Sequence, residues 1–425
     1  MKNGDLTLRR SGMHGRISRR RALGVIGGAG LALKAMPFII GRARADLAQP
    51  LGPGGIPLAR PNRPVTLPLY EDPIKSGLAP ETGGKFTVYC YADYIDKALV
   101  NAFGKTYGVD IELTTYDSQD EAITRQATKA VAPDVVNITP DRLAQAVAGK
   151  LIKPINLDYI PNLQANIWPT LHSPFYDTGS RYTVPYTVYK TGIGWRSDKV
   201  SEDIPKLANP WSIFWNSQAY KGYVGVLDDS RESVTMAMLY RHFFEVNTED
   251  PAEVDKALAD LKAMIPVCNP KINITEYETL ATGQSWLHQS WSGDLLAAFF
   301  YYLPSGDDGS HLRYWSAAKG KGPIQNDCWA VSHATTKPVL SHLWLNYILD
   351  EDVAYNNFVK FNGYQPPQQS ITAEGLVAKG VVPANLKEAV MVPDDIGPDS
   401  LQECTLTSKG QKLWQDAFAQ FTSGT

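Results

Sequence analysis

The sequence predicts an α/β fold in two lobes, and three observations carry that prediction. From Lys85 onward, short stretches with a period of two alternate with stretches at helical spacing. The same grammar restarts at "GYVGVLDDSRESVTMAML" and again at "SWLHQSWSGDLLAAFF". The loops that leave the strands carry acidic and aromatic residues, and they lie at the carboxyl ends of strands, where open α/β sheets bind their ligands.

The elements follow in order. Residues 1–21 are basic, most densely in "GRISRRR", and the apolar run "ALGVIGGAGLALKAMPFIIG" follows, interrupted by Lys34. "ARA", Ala43 to Ala45, offers small residues where a signal peptidase cuts, so residues 1–45 are expected to be removed. Within them, Ser18-Arg19-Arg20-Arg21-Ala22-Leu23 resembles a twin-arginine export signal, although Ala22 replaces the usual aromatic and Gly24 the usual Lys. The glycines of "GVIGGAG" lack a preceding strand and are not a dinucleotide loop. Residues 46–84 are rich in Pro and Gly without periodicity and read as an extended arm.

Folding begins at Lys85. "KFTVYCY" alternates Phe86, Val88 and Cys90 against Thr87, Tyr89 and Tyr91 as a strand, and Ile95, Leu99, Ala102 and Phe103 then recur at helical spacing up to Gly108. "VDIELTTY" is the next strand, "SQDEAITRQATKA" a helix, "PDVVNIT" a short apolar strand and "PDRLAQAVAG" a helix. Such alternation implies parallel βαβ units.

Charge narrows the function. Ten of the 41 basic residues and one of the 44 acidic residues lie in residues 1–45, which leaves the remainder with a net charge of −12. A chain this acidic repels nucleic acid and anionic membranes and draws small cations toward any acidic cleft, although plain solubility accounts for the charge equally well. The four cysteines, Cys90, Cys268, Cys328 and Cys404, are too scattered for a disulfide framework or a CxxC metal site. The seven histidines form no HxH or HExxH pair, and neither a Gly-x-Ser-x-Gly elbow nor a phosphate loop occurs.

Several acids remain as candidates. Asp229 and Glu232, in "LDDSRES", have capping-box spacing across a helix start, and the same pair can grip an ammonium. Asp294 sits between a Trp-Ser-Gly turn and an apolar helix, where Ser292 or Asp294 is expected to cap or, with Trp291, to face a cation. Asp327 precedes an apolar strand-like run, where a charge requires an ion-pair partner or an open cleft. Tyr91, Tyr94, Trp291 and Tyr364 lie near the same loops, and each ring either packs in a core or covers a cation.

Taken together, "YADYI", "YDSQDE", "PDVVNIT", "GKLIKPINLDYIPNL", "YTVPYTVYKTGIGWRSDKV", "YKGYVGVLDDSRE", "LATGQSWLHQSWSGD" and "FNGYQPPQQS" resemble, in order from Lys85 to Gln369, the periplasmic spermidine/putrescine-binding proteins, solute receptors of ABC importers. That resemblance implies the type II periplasmic binding protein fold, with two α/β lobes hinged by crossing segments. Lobe one would hold residues 85–187 and 331–365, and lobe two residues 188–330 and 366–425. It also implies ligand roles for Tyr91, Tyr94, Thr139, Asp229, Glu232, Trp291, Asp294, Asp327 and Tyr364. A further implication is a monomeric periplasmic receptor without catalysis, cofactor or metal, whose partners are a small cationic ligand and an inner-membrane ABC permease. Two departures bear on specificity. Lys190 stands in "VYK" where Trp-Gly-Thr is usual, and Asp141 replaces an aromatic. Lys190 would neutralise a site acid or select a zwitterionic amino acid, opine or guanidino compound. A periplasmic enzyme is the reading from another class, because twin-arginine export carries folded cofactor proteins.

Overall fold

The computed structural model describes residues 49–424, so the leader and its arginine pair lie outside the described residues. Strands β1 (Lys85–Tyr91), β2 (Asp110–Tyr116), β3 (Val135–Ile138) and β4 (Ile152–Lys153) come first, followed by the long β5 (Thr183–Arg196). The others are β6 (Val224–Leu227), β7 (Lys271–Asn273), β8 (Leu287–Trp291), β9 (Leu312–Trp315) and β10 (Ile324–Ser332). The helices in the first half of the chain are α1 (Lys97–Tyr107), α2 (Gln119–Ala127), α3 (Pro140–Ala148) and α4 (Asn162–Asn166). Then come α5 (Ser230–Tyr240), α6 (Pro251–Cys268), α7 (Glu276–Thr282) and α8 (Ser292–Ala297). The last four are α9 (Pro338–Ile348), α10 (Glu351–Asn357), α11 (Ala373–Ala378) and α12 (Ser408–Thr422).

Local chemistry sets the element ends. Asp96 accepts the Ala98 amide at 2.8 Å to start α1, and Gly108 ends that helix in the left-handed conformation at φ 66°, which costs glycine nothing. The two faces of β1 are both covered, Phe86, Val88 and Cys90 entering one core and Tyr89 another, as parallel strands between helix layers require.

The strand order is β2-β1-β3-β10-β5-β8-β6-β7, with β4 added on β10 and β9 on β5. Strands β1, β2 and β3 pair in parallel, as do β6, β7 and β8, whereas β5 and β10 run antiparallel to their neighbours. Strand β5 passes from one half of the sheet to the other. Its residues Thr183–Lys190 pair with β10, and Thr191–Arg196 pair with β8 and β9. Single bridges between Val188 and Gln365 and between Pro323 and Leu401 lie beside that passage.

Each half buries its own cores, with Trp329 and Trp344 central in the first half and Trp414, Met236 and Leu261 in the second. Strand β10 pairs with β3 over Cys328–Val331 and with β5 over Ile324–Ala330. Met391 and Ile396 also pack into the first-half core although they follow residue 366.

Residues 49–84 have little regular structure yet are held to the first half. Ile56, Leu58, Val65 and Leu67 are buried there, and Arg181 and Tyr182 donate to the carbonyls of Leu67 and Pro68 at 2.8 and 2.7 Å. All four cysteines are free and buried.

Candidate functional site

The loop between β1 and α1 carries the first candidate residues. The Tyr94 carbonyl accepts from Tyr186 Oη at 2.8 Å and from the side-chain amides of Asn357 and Asn362 at 3.2 and 3.1 Å. Those bonds fix the Tyr94 ring against Tyr91, Tyr186 and Tyr364, at centroid distances of 5.8, 5.2 and 5.6 Å. Beneath the ring lies Asp327, whose Oδ2 accepts from Tyr94 Oη at 2.5 Å and whose Oδ1 meets Tyr189 Oη at 3.5 Å.

The backbone aims Asp327 through an irregularity in β10–β5 pairing. Asp327 opposes Thr187 but Cys328 opposes Pro185, so β5 carries an extra residue there. A bulge of this kind re-aims side chains and accommodates a proline that cannot donate to the ladder. Burial pushes the Asp327 pKa up to about 7, opposed by the Tyr94 hydrogen bond and assisted by the charge of Asp141.

The next candidates start at the end of β6. Asp229 caps α5, its Oδ1 accepting the amides of Arg231 and Glu232 at 2.7 and 3.0 Å. Glu232 does not return the bond of a capping box. Its Oε1 accepts from Thr191 Oγ1 at 2.8 Å and from Trp291 Nε1 at 2.7 Å, while Oε2 is buried without a partner. Burial, followed by the charge of Asp229, pushes the Glu232 pKa up to about 7. Asp229 thus caps the helix, while Glu232 is turned to Thr191 and Trp291.

At the start of α8 the expected cap is absent. Trp291 is the N-cap residue without a side-chain bond, and Ser292 Oγ instead accepts the Lys190 amide at 3.1 Å. Asp294 is turned to Glu276 and Tyr364, with which it hydrogen-bonds through its carboxyl group. Glu276, at the start of α7, is fully buried, and its Oε1 accepts the Trp291 amide at 3.3 Å. Burial, followed by the charge of Asp294, raises the Glu276 pKa well above the carboxylate range.

The remaining expected residues divide. Thr139 Oγ1 donates to Asp141 Oδ1 at 2.5 Å, and Asp141 is ion-paired to Arg142 at 2.5 Å. Its added charge is thereby largely met within its own helix. Lys190 pairs with Asp395 at 3.3 Å, since alternation along β5 puts it on the face opposite Tyr189.

Several participants were missed. The ring of Tyr189 lies 6.4 Å from Trp291 and 5.5 Å from Tyr364, completing a series of rings that runs from Tyr91 through Tyr94, Tyr364 and Tyr189 to Trp291. Thr187, bonded to Tyr94, and Thr191, bonded to Glu232, stand two residues away on either side, and that period in "TVYKT" was the available signal. Glu276 and Glu403 gave no local signal, since their importance comes only from burial beside other acids.

Basic side chains near the cleft are committed elsewhere. Arg231 donates to the carbonyls of Cys404 and Val246 and to Asn247, with its guanidinium 4.6 Å over Trp414, and Arg142 pairs with Asp141 and Asp120. Among the described residues, Asp327, Glu232 and Asp294 are 4 %, 3 % and 6 % exposed and no ion pair meets them.

Comparison with known proteins follows from this geometry. Residues 98–383 match the family model of bacterial extracellular solute-binding proteins. The chain is 26% identical to the spermidine/putrescine-binding periplasmic protein of Escherichia coli over 211 residues, which is 49% of this chain and 59% of that one, less than two thirds of the relative's length. It is 26% identical to a putrescine/agmatine-binding protein of Pseudomonas aeruginosa over 296 residues, 65% of this chain and 78% of the relative. The crystal structure of a spermidine/putrescine ABC transporter substrate-binding protein from Streptococcus pneumoniae superposes with a TM-score of 0.62 at 20% identity, covering 80% of this chain and 99% of that one. The shared fold is the two-lobed, type II periplasmic binding protein architecture, with β5 as a crossing segment.

Proposed function

This chain belongs to the family of bacterial extracellular solute-binding proteins, and from that membership we propose that it is the receptor of an ABC importer for a small organic cation, a polyamine of the putrescine or spermidine type. It would work in the periplasm after twin-arginine export, as a monomer that passes its ligand to an inner-membrane permease and catalyses nothing. The relatives that carry this reading are themselves described as binding proteins.

One observation supports it most directly: Asp327 and Glu232 are buried, uncompensated by Lys or Arg, and lie along one series of aromatic rings. An ionised carboxylate out of water costs several kcal/mol unless a partner meets it. Alkyl ammonium groups have pKa values near 10, so at neutral pH they supply that partner, and the rings cover both the charge and the methylenes between amines, at roughly 0.5–2 kcal/mol per ring–cation contact. Asp327 belongs to the first half of the sheet, and Glu232 and Trp291 to the second. A ligand touching both stabilises the arrangement in which they approach, since only differential affinity shifts an open–closed equilibrium.

A zwitterionic amino acid, opine or guanidino compound is the alternative ligand class, with Lys190 paired to Asp395 in the absence of ligand. Isothermal titration with putrescine, spermidine and amino-acid derivatives tests the proposal. Saturable binding of an amine at micromolar or lower concentration is expected, and no heat with any amine would overturn it. Native mass spectrometry of protein purified without added ligand would identify a retained solute.

A further inference from the structure

The extended segment before α12 lies beyond residue 383, where the family match ends, yet it reaches the cleft. Three bonds fix it. Gln402 Nε2 donates to Asn326 Oδ1 at 3.3 Å, Asn247 Nδ2 donates to the Gln402 carbonyl at 2.8 Å, and the Cys404 amide donates to Asn247 Oδ1 at 2.7 Å. Glu403 stands between these anchors, 8 % exposed, with Oε1 buried and without a partner. The segment is tied to the start of α5, since Arg231, next to Glu232, donates to the carbonyl of Cys404, next to Glu403, at 3.1 Å, and burial followed by the charge of Glu232 raises the Glu403 pKa well above the carboxylate range. Arg231 forms no ion pair with Glu403: its terminal nitrogens bond Cys404, Val246 and Asn247, and its Nε is buried without a partner.

Two carboxylates thus lie on neighbouring segments, each with one buried oxygen that no donor reaches, Oε2 of Glu232 and Oε1 of Glu403. Carboxylates only accept, so neither can satisfy the other while both are ionised. What meets both is a positively charged group with several N–H donors, which a primary ammonium has and a trimethylammonium lacks. We infer that Glu232 and Glu403 together grip one primary ammonium of the ligand, so that the C-terminal segment contributes a binding residue of its own. This rests on the receptor reading above.

The test is isothermal titration of putrescine and spermidine into the unsubstituted protein and into Glu403→Gln and Glu403→Met, in two buffers of different ionisation enthalpy, with thermal melting of each protein without ligand. Both substitutions are expected to weaken amine binding by roughly tenfold or more and to release fewer protons on binding. They are also expected to raise the melting temperature of the unliganded protein, because a like charge beside Glu232 is gone. A residue with only a structural role would lower that temperature. Binding within twofold of the original with the same proton release, or variants that melt lower or do not fold, would overturn the inference and leave the receptor reading standing. If the unsubstituted protein binds neither amine, the receptor reading fails and this inference with it.

Discussion

At the scale of single residues, the cleft combines acids that are costly to ionise with rings that favour a cation. Glu232 illustrates the balance, since Trp291 and Thr191 donate to one oxygen and leave the other free. Glu232→Gln removes a charge-assisted bond to an ammonium, an interaction of about 1.5–3 kcal/mol, so titration should show putrescine binding weakened by roughly 10- to 100-fold. The pH dependence has a definite sign. Glu232 and Asp327 are raised by burial from the ordinary carboxylate range to about 7. A raised carboxyl stabilises the unliganded fold below its unfolded value, and that contribution is lost as pH rises through about 7. A bound cation requires the ionised form, so affinity moves the opposite way, with each of the two groups adding roughly tenfold between pH 6 and 8. Melting curves without ligand and titrations at stepped pH should therefore run in opposite directions. A flat affinity profile across that window would contradict the assignment of these two acids.

At the scale of elements, the loops leaving strands carry the site, and glycine permits one of the closest approaches. A Cβ on Gly293 would come within 2.5 Å of the Tyr364 ring, and Tyr364 is the ring between Tyr94 and Tyr189. Gly293→Ala should therefore push that ring aside. Tyrosine fluorescence and titration are expected to report weakened amine binding with the α8 helix preserved, because alanine favours helix over glycine by roughly 1 kcal/mol. Much of this level was legible in the sequence. The period-two run at Lys85 and the apolar "VVNI" became β1 and β3, and the ends of strands at Tyr91 and Asp229 carry cleft residues. What was not legible depended on tertiary neighbours. Asp294 has the sequence context of a cap, yet the buried carboxyl of Glu276, on a different helix, takes its hydrogen bond. The Asp395 partner of Lys190 was equally invisible, although alternation from Tyr189 already puts Lys190 on the other face of β5.

At the scale of the whole molecule, α12 joins the halves. It packs on α5 and α6 in the second half through Trp414, Ala417 and Phe421. Its polar side reaches the first half, where Gln415 Nε2 donates to Asp120 Oδ2 at 3.1 Å and Arg142 donates to Gln411 Oε1 at 3.3 Å. These bonds must break if the halves move apart, so they add to the stability of the closed arrangement and of nothing else. Hydrogen bonds of this kind contribute about 0.5–1.5 kcal/mol each, small against global stability but large against a balance between two arrangements of a few kcal/mol. The double variant Gln411→Ala with Gln415→Ala should consequently melt within about 2 °C of the original protein. Its affinity for a polyamine should fall by roughly fivefold or more, mainly through faster release. Small-angle scattering should show a larger mean radius before ligand is added and convergence with the original protein at saturation. Unchanged release and unchanged radius would mean that α12 belongs energetically to the second half alone, and that closure rests on the ligand's own contacts with Asp327 on one side and Glu232 on the other.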